Sequence, residues 1–156
     1  MTKTKQIIGS VSHGTMRKED LIPIFFDTLV SVSKKRANQL LKKYELKSIP
    51  GCDSDENEWY EWEDSDNFLG DLFDILNEYA PPYFYFGASE GDGSDYGYFL
   101  SSDFGNEFNF GDGIKVNDLS EIPKGYVGEV LEINDHGNMS LYFKNKRNLK
   151  EIWGVV

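Results

Sequence analysis

Between Asp53 and Asp64 the chain reads DSDENEWYEWED, and its oxygen donors fall in a pattern that invites a metal. Asp53, Asp55, Asn57, Glu61 and Asp64 take positions 1, 3, 5, 9 and 12 of a calcium-binding helix–loop–helix loop. Three positions depart from that pattern. Glu58 stands at position 6, where the sharp turn takes glycine, and Asp64 is shorter than the bidentate glutamate of position 12. Tyr60 stands at position 8, where an aliphatic side chain is usual. The expectation is no bound metal or cofactor, with Asp53, Asp55, Asn57 and Asp64 as the ligands if calcium does bind. Glu90, Asp92 and Asp95 of SEGDGSDYG make a second, looser cation site, whose plain alternative is a surface loop.

Other chemistry is thinner. His13 sits in SVSHGT beside Ser10 and Ser12, and His136 sits in NDHGN. A nucleophile needs a base held by an orienting acid, and neither histidine has a spacing that implies one. Asp135-His136-Gly137-Asn138 reads instead as a tight hairpin, which needs positive φ angles. Carboxylate pairs for glycoside chemistry can be drawn anywhere in so acidic a chain and so point nowhere. The glycines of FGASEGDGSDYG lack the Gly-Lys-Ser/Thr of a phosphate cradle. No catalytic residue is assigned, and the expectation is a protein that is not an enzyme.

The charge distribution says more. Residues 1–47 carry ten Lys/Arg against four acids, and residues 115–156 carry six of each sign. Residues 48–114 carry seventeen Asp/Glu and no Lys, Arg or His, together with 16 of the 23 aromatic residues. Trp59, Tyr60 and Trp62, interleaved with Glu58, Glu61 and Glu63, fit no single helix or strand face, so some of these rings are expected at the surface. Exposed Trp and Tyr anchor interfaces, and surrounding acids steer a basic partner toward them. The expected partner-binding surface is Asp53, Asp55, Glu56, Glu58, Trp59, Tyr60, Glu61, Trp62, Glu63, Asp64, Asp66, Asp71 and Asp74, with Trp59 and Trp62 as anchors. Its partner is a basic protein, such as a nuclease or a CRISPR effector. No direct nucleic-acid contact and no membrane contact are expected.

The elements that must carry these residues follow from periodicity. A short strand is expected at Lys5–Ile8. Thr15 can cap a helix through DLIPIFFDTLVSV, and Pro23 places its start near Asp20, inside the first turn. Ser33 can cap a second helix, Ser33–Leu46, with Ala37, Leu40, Leu41 and Tyr44 on one face and lysines on the other. This basic helix is a candidate second binding face. Read as the recognition helix of a helix-turn-helix, it lacks the turn glycine before it, and the acidic chain repels DNA. The plainer expectation is that its lysines neutralise part of the acidic block within the same molecule. A third helix, about Ser65 to Tyr79, buries Phe68, Leu69, Leu72, Phe73, Leu76 and Tyr79 and turns Asp66, Asp71, Asp74 and Glu78 outward. YFYFGA and DYGYFL read as strands, and a three-stranded meander runs from Tyr126 to the end, with Met139, Leu141 and Phe143 on the buried side of its middle strand. Amino-terminal helices plus a mostly antiparallel sheet ending in a meander make an α+β protein, expected as a single domain over 1–156 with a basic helical part (1–47), an acidic aromatic part (48–114) and a β-meander (115–156).

Cys52 is alone, so no intrachain disulfide forms, and no apolar run approaches a membrane span or a signal-peptide core. The cytoplasm is the expected compartment. At the level of class, a small Lys/Asn/Asp-rich chain with one strongly acidic block resembles the inhibitors that phages and mobile elements use against CRISPR and restriction systems, several of which mimic DNA. YFGASEGDGSDYGYF and GYVGEVLEINDHGNMSLYF are similar to segments of small phage and bacterial proteins. The resemblance implies a non-enzymatic anti-defence inhibitor of a basic nucleic-acid-binding protein or nuclease, acting in the cytoplasm of the host bacterium if phage-encoded. It carries no residue roles. Its alternatives are an immunity protein that neutralises a basic toxin, and a calcium-binding module or small enzyme.

Overall fold

A computed structural model describes residues 6–51 and 58–156. Helices dominate the first half and two sheets the second, so the protein is α+β. The chain divides into two compact units: the described residues up to Ala80 with Phe84–Leu100, and Pro81–Tyr83 with Ser101–Val156. Among the described residues no helix is long and apolar enough to cross a membrane.

In the first unit, strands β1 (Gly9–Ser12), β2 (Phe84–Ser89) and β3 (Asp92–Leu100) form an antiparallel sheet in the order β1-β3-β2. β1 lies just past the strand expected at Lys5–Ile8; residues 6–8 are not strand. Gly97 is required where β1 crosses, because a Cβ there would sit 2.1 Å from the Gly9 carbonyl oxygen. Helix α1 (Lys18–Val32) buries Leu21, Ile22, Phe25 and Leu29. Phe25 meets Phe86 and Tyr96 of the sheet edge-on, at ring centroids 5.0 and 5.7 Å. The helix starts two residues before Asp20, so Pro23 is its sixth residue rather than part of the first turn, and one backbone bond is forgone there. Thr15 does not cap it. Arg17 holds the cap position without a side-chain bond, while Thr15 Oγ1 donates to Asp20 Oδ2 at 2.7 Å.

Helix α2 (Lys34–Lys43) begins as its sequence implies, with Ser33 Oγ accepting from the Arg36 amide at 3.3 Å. A single turn, α3 (Glu58–Glu61), precedes α4 (Glu63–Glu78), which buries Ser65, Phe68, Leu72 and Leu76. β2 ends the sheet, and two side chains occupy its outer edge. Asn77 Oδ1 accepts from the Phe86 amide and Tyr85 Oη donates to the Ala88 carbonyl, both at 2.9 Å.

The second unit holds the meander β5 (Gly128–Ile133), β6 (Met139–Lys144) and β7 (Leu149–Val155). Two elements not expected from the sequence join it: helix α5 (Phe104–Phe110), and β4 (Ile114–Val116), which pairs parallel to β5. Phe104, Phe108, Val130, Leu131, Leu141 and Trp153 are buried here, and the Trp153 indole donates to the Pro82 carbonyl at 2.9 Å. Along β6, Leu141 is fully buried and Met139 half-buried, but Phe143 is 44% exposed, so the buried face does not extend to Phe143. At the β5–β6 turn, Asn134 Oδ1 accepts from the amides of His136 and Asn138, Gly137 has φ +80°, and His136 is an exposed turn residue.

Candidate interaction surface

The acidic block is used in two different ways inside the first unit. On α4, three acids face the basic amino-terminal helices and pair with them. Lys18 reaches Asp66 at 2.8 Å, Arg36 reaches Glu78 at 2.8 Å, and Lys43 reaches Asp71 at 2.6 Å. Burial pushes the Asp71 carboxyl up, but hydrogen bonds from Lys43 Nζ and Tyr44 Oη outweigh it and hold the carboxyl below its usual range. Tyr44 moves the other way, to about 12, through burial and its bond to Asp71. The Arg36 bond likewise holds Glu78 low. Arg36 and Lys43, candidates for a second binding face, are thus engaged within the molecule, as are Asp66 and Asp71 of the expected partner surface.

The other acids of α3 and α4, Glu58, Glu61, Glu63, Asp64 and Asp74, are exposed and form no ion pair among the described residues. Glu58, Glu61, Glu63 and Asp64 flank an elbow, while Asp74 lies further along α4, near Asp71. α3 stops after one turn, Trp62 adopts extended backbone (φ −86°, ψ 152°), and α4 starts immediately after it. Ser65 fixes the bend from inside: fully buried, its hydroxyl donates to the carbonyls of Tyr60 and Trp62 at 3.0 and 2.8 Å.

The elbow sorts the three rings of EWYEW. Trp59 is 8% exposed and Tyr60 2%. Trp59 packs edge-on against Phe68 at 5.6 Å, and Tyr60 Oη donates to the Pro50 carbonyl at 2.7 Å. These two are core side chains, which corrects the expectation that Trp59 anchors a partner and that Tyr60 lies on its surface. Trp62 is 56% exposed and remains the one large ring of the three at the surface.

Beside Trp62 opens a groove of about 310 Å³ between the end of α2 and α3, walled by Leu46, Lys47, Pro50, Glu58, Trp59 and Trp62. The chain reaches it through a helix stop that lacks the usual glycine. Glu45 takes a left-handed conformation at φ +55°, its amide bonds to the Lys42 carbonyl, and the Leu46 amide bonds back to the Leu41 carbonyl at 2.9 Å. That reversal delivers Leu46 and Lys47 to the wall. Neither residue was expected in the site, because a glutamate gives no sign of a left-handed cap. A second hollow, of about 470 Å³, runs along α4 beside Lys43, Asp66, Gly70, Asp71 and Asp74.

No family model, curated protein or solved structure matches the chain.

Of the remaining candidates, Asp53, Asp55, Glu56 and Asn57 lie outside the described residues. The helical turn of α3 occupies positions 6 to 9 of the calcium-loop pattern, where that loop needs its sharp turn. No group of three His, Cys, Asp or Glu among the described residues is placed to hold a metal ion. The looser candidates serve the β2–β3 region instead. Asp92 Oδ1 accepts from the amide and hydroxyl of Ser94, and Asp95 accepts from the Ser10 hydroxyl of β1.

Proposed function

We propose that this chain is a non-enzymatic binding protein that docks the acid-rimmed Trp62 elbow on a basic surface of another protein. Its partner is a nuclease or other nucleic-acid-binding protein, which it inhibits in the manner of phage anti-defence proteins, in the bacterial cytoplasm. One observation carries the reading: the eight acids from Glu58 to Glu78 divide into three paired with the protein's own bases and five exposed carboxylates without an ion pair among the described residues, four of which (Glu58, Glu61, Glu63 and Asp64) flank the exposed Trp62 in the chain. Carboxylates that hold no partner in the fold are available to steer one, and a ring half in water supplies the apolar contact that charge alone lacks.

The same geometry favours a local patch over wholesale DNA mimicry. The 16 residues of α4 span about 24 Å at ~1.5 Å per residue. A duplex of that length carries about 14 charges. The stretch from Glu58 to Glu78 offers eight acids, three of them neutralised from within. Such a surface matches one basic site, not the length of a DNA groove.

The test is DNA cleavage by a panel of purified restriction endonucleases and CRISPR effector nucleases, with the native protein and with Glu58→Gln, Glu61→Gln, Glu63→Gln, Asp64→Asn and Asp74→Asn combined. Inhibition of at least one enzyme is expected from the native protein and not from the variant, weakening about tenfold or more between ~50 and ~200 mM salt. Equal inhibition by the two proteins, or no inhibition across the panel, rejects the reading.

A further inference from the structure

The groove beside Trp62 permits a sharper statement about what the partner presents, and it rests on the reading that this elbow is the docking surface. Its apolar wall is Leu46, Pro50 and Trp59, and its polar wall is Glu58 and Lys47. Trp62 stands at the mouth, 56% exposed. The lining itself holds one acid, Glu58, and one base, Lys47, and the elbow that supplies Glu58, Trp59 and Trp62 also carries the exposed Glu61, Glu63 and Asp64. An anionic or neutral polar ligand would meet net repulsion or no complement there. An aliphatic side chain would fill the apolar wall and leave Glu58 unanswered.

We propose that the groove seats one arginine side chain of the partner. Its aliphatic stem lies against Leu46 and Pro50, its guanidinium stacks on the Trp62 indole, and its donors meet the Glu58 carboxylate. Arginine fits better than lysine for three physical reasons. A guanidinium is planar and can lie flat on an indole, it is less strongly hydrated than an ammonium, and its fork of donors matches a carboxylate. Tryptophan is also the best ring for a cation to sit on. Lys47 sets the sign of a further effect, since its ammonium in the lining opposes a bound cation.

Capped hexapeptides Ala-Lys-Ala-X-Ala-Lys, with X arginine, lysine or citrulline, test the assignment. They are titrated at low salt into the full-length protein and followed by calorimetry and by the Trp62 indole N–H resonance, assigned by its loss in Trp62→Phe. The arginine peptide is expected to bind about five- to tenfold more tightly than the lysine peptide. Citrulline, which keeps the shape and loses the charge, is expected to bind more weakly than either. Trp62→Leu and Glu58→Gln each abolish the arginine preference, and Lys47→Ala strengthens arginine binding by about twofold. All three are surface changes, and circular dichroism verifies their fold. Equal affinity for arginine and lysine, citrulline binding as well as arginine, a preference that survives Trp62→Leu, or no arginine-peptide binding at millimolar concentration overturns the seat. These failures are separable from failure of the docking reading. Peptides that bind without discrimination, yet lose binding to the five-amide variant, remove the arginine seat and leave the acidic docking surface standing.

Discussion

Trp59 and Trp62 are three residues apart in the same acidic run, yet one is inside the protein and the other is half in water. The acids divide in the same way, with Asp66, Asp71 and Glu78 closing on the basic helices and Glu58, Glu61, Glu63, Asp64 and Asp74 facing solvent. Composition alone treats the run as one surface. The fold separates it into a part that assembles the first unit and a part that faces solvent, and the extended backbone at Trp62 turns that ring away from the core that holds Trp59 and Tyr60.

That contrast can be broken most forcefully from the inside. Trp59→Ala removes a buried ring against Phe68 and is expected to cost about 3–5 kcal/mol of stability, read from urea unfolding. A cost near that of a surface change would mean that Trp59 does not hold α3 to the core.

Asp71→Asn probes the paired acids and is expected to cost about 1–2 kcal/mol at neutral pH, because the Lys43 and Tyr44 bonds lose their charged acceptor. Its pH dependence carries the sharper signature. The Asp71 carboxyl is held low in the fold, so its contribution is complete above the unfolded-chain value near ~3.9 and is lost as pH falls toward the folded value. Tyr44 is held up at about 12, so its contribution is complete below the unfolded-chain value near ~10 and is lost as pH rises toward 12. Unfolding midpoints measured across both windows should flatten on the acid side in the variant and fall less on the alkaline side. Identical profiles for the two proteins would show that the pair contributes nothing.

The smallest effect on stability belongs to the other tryptophan. Trp62→Ala is expected to change unfolding by no more than about 0.5 kcal/mol, while it removes the acrylamide-accessible part of the fluorescence, since Trp59 and Trp153 are buried. A large loss of stability would make Trp62 a structural ring and erase the contrast.

Much of the architecture was legible in residue patterns. Ser33 before KKRANQLLKK, the apolar stripe from Phe68 to Leu76, and the turn residues at Asp135 to Asn138 each mark an element that the structure contains. The second unit was less readable. In FGNEFNFGDGIKV, glycines and asparagines interrupt any window long enough to show a period, and only Phe104 and Phe108, one turn apart and both buried, betray α5. The site was half legible. The acids of α4 stand out by type, but which of them are paired depends on how α1, α2 and α4 meet, and that is a tertiary fact. Which ring of EWYEW stays outside depends on the elbow, whose sequence sign is Ser65, a polar residue that only its complete burial shows to be a bracket.

The side chains on the rim of β2 have a consequence for how the molecule behaves in a crowd. FYFGAS and YGYFL are aromatic strands of the kind that stack between copies, and β2 stands at the end of its sheet. Asn77 and Tyr85 satisfy a donor and an acceptor on that rim, which a strand from a neighbouring copy would otherwise bond. The protein therefore carries its own stop against lateral fibril growth, supplied by two side chains and independent of the charge that keeps acidic molecules apart.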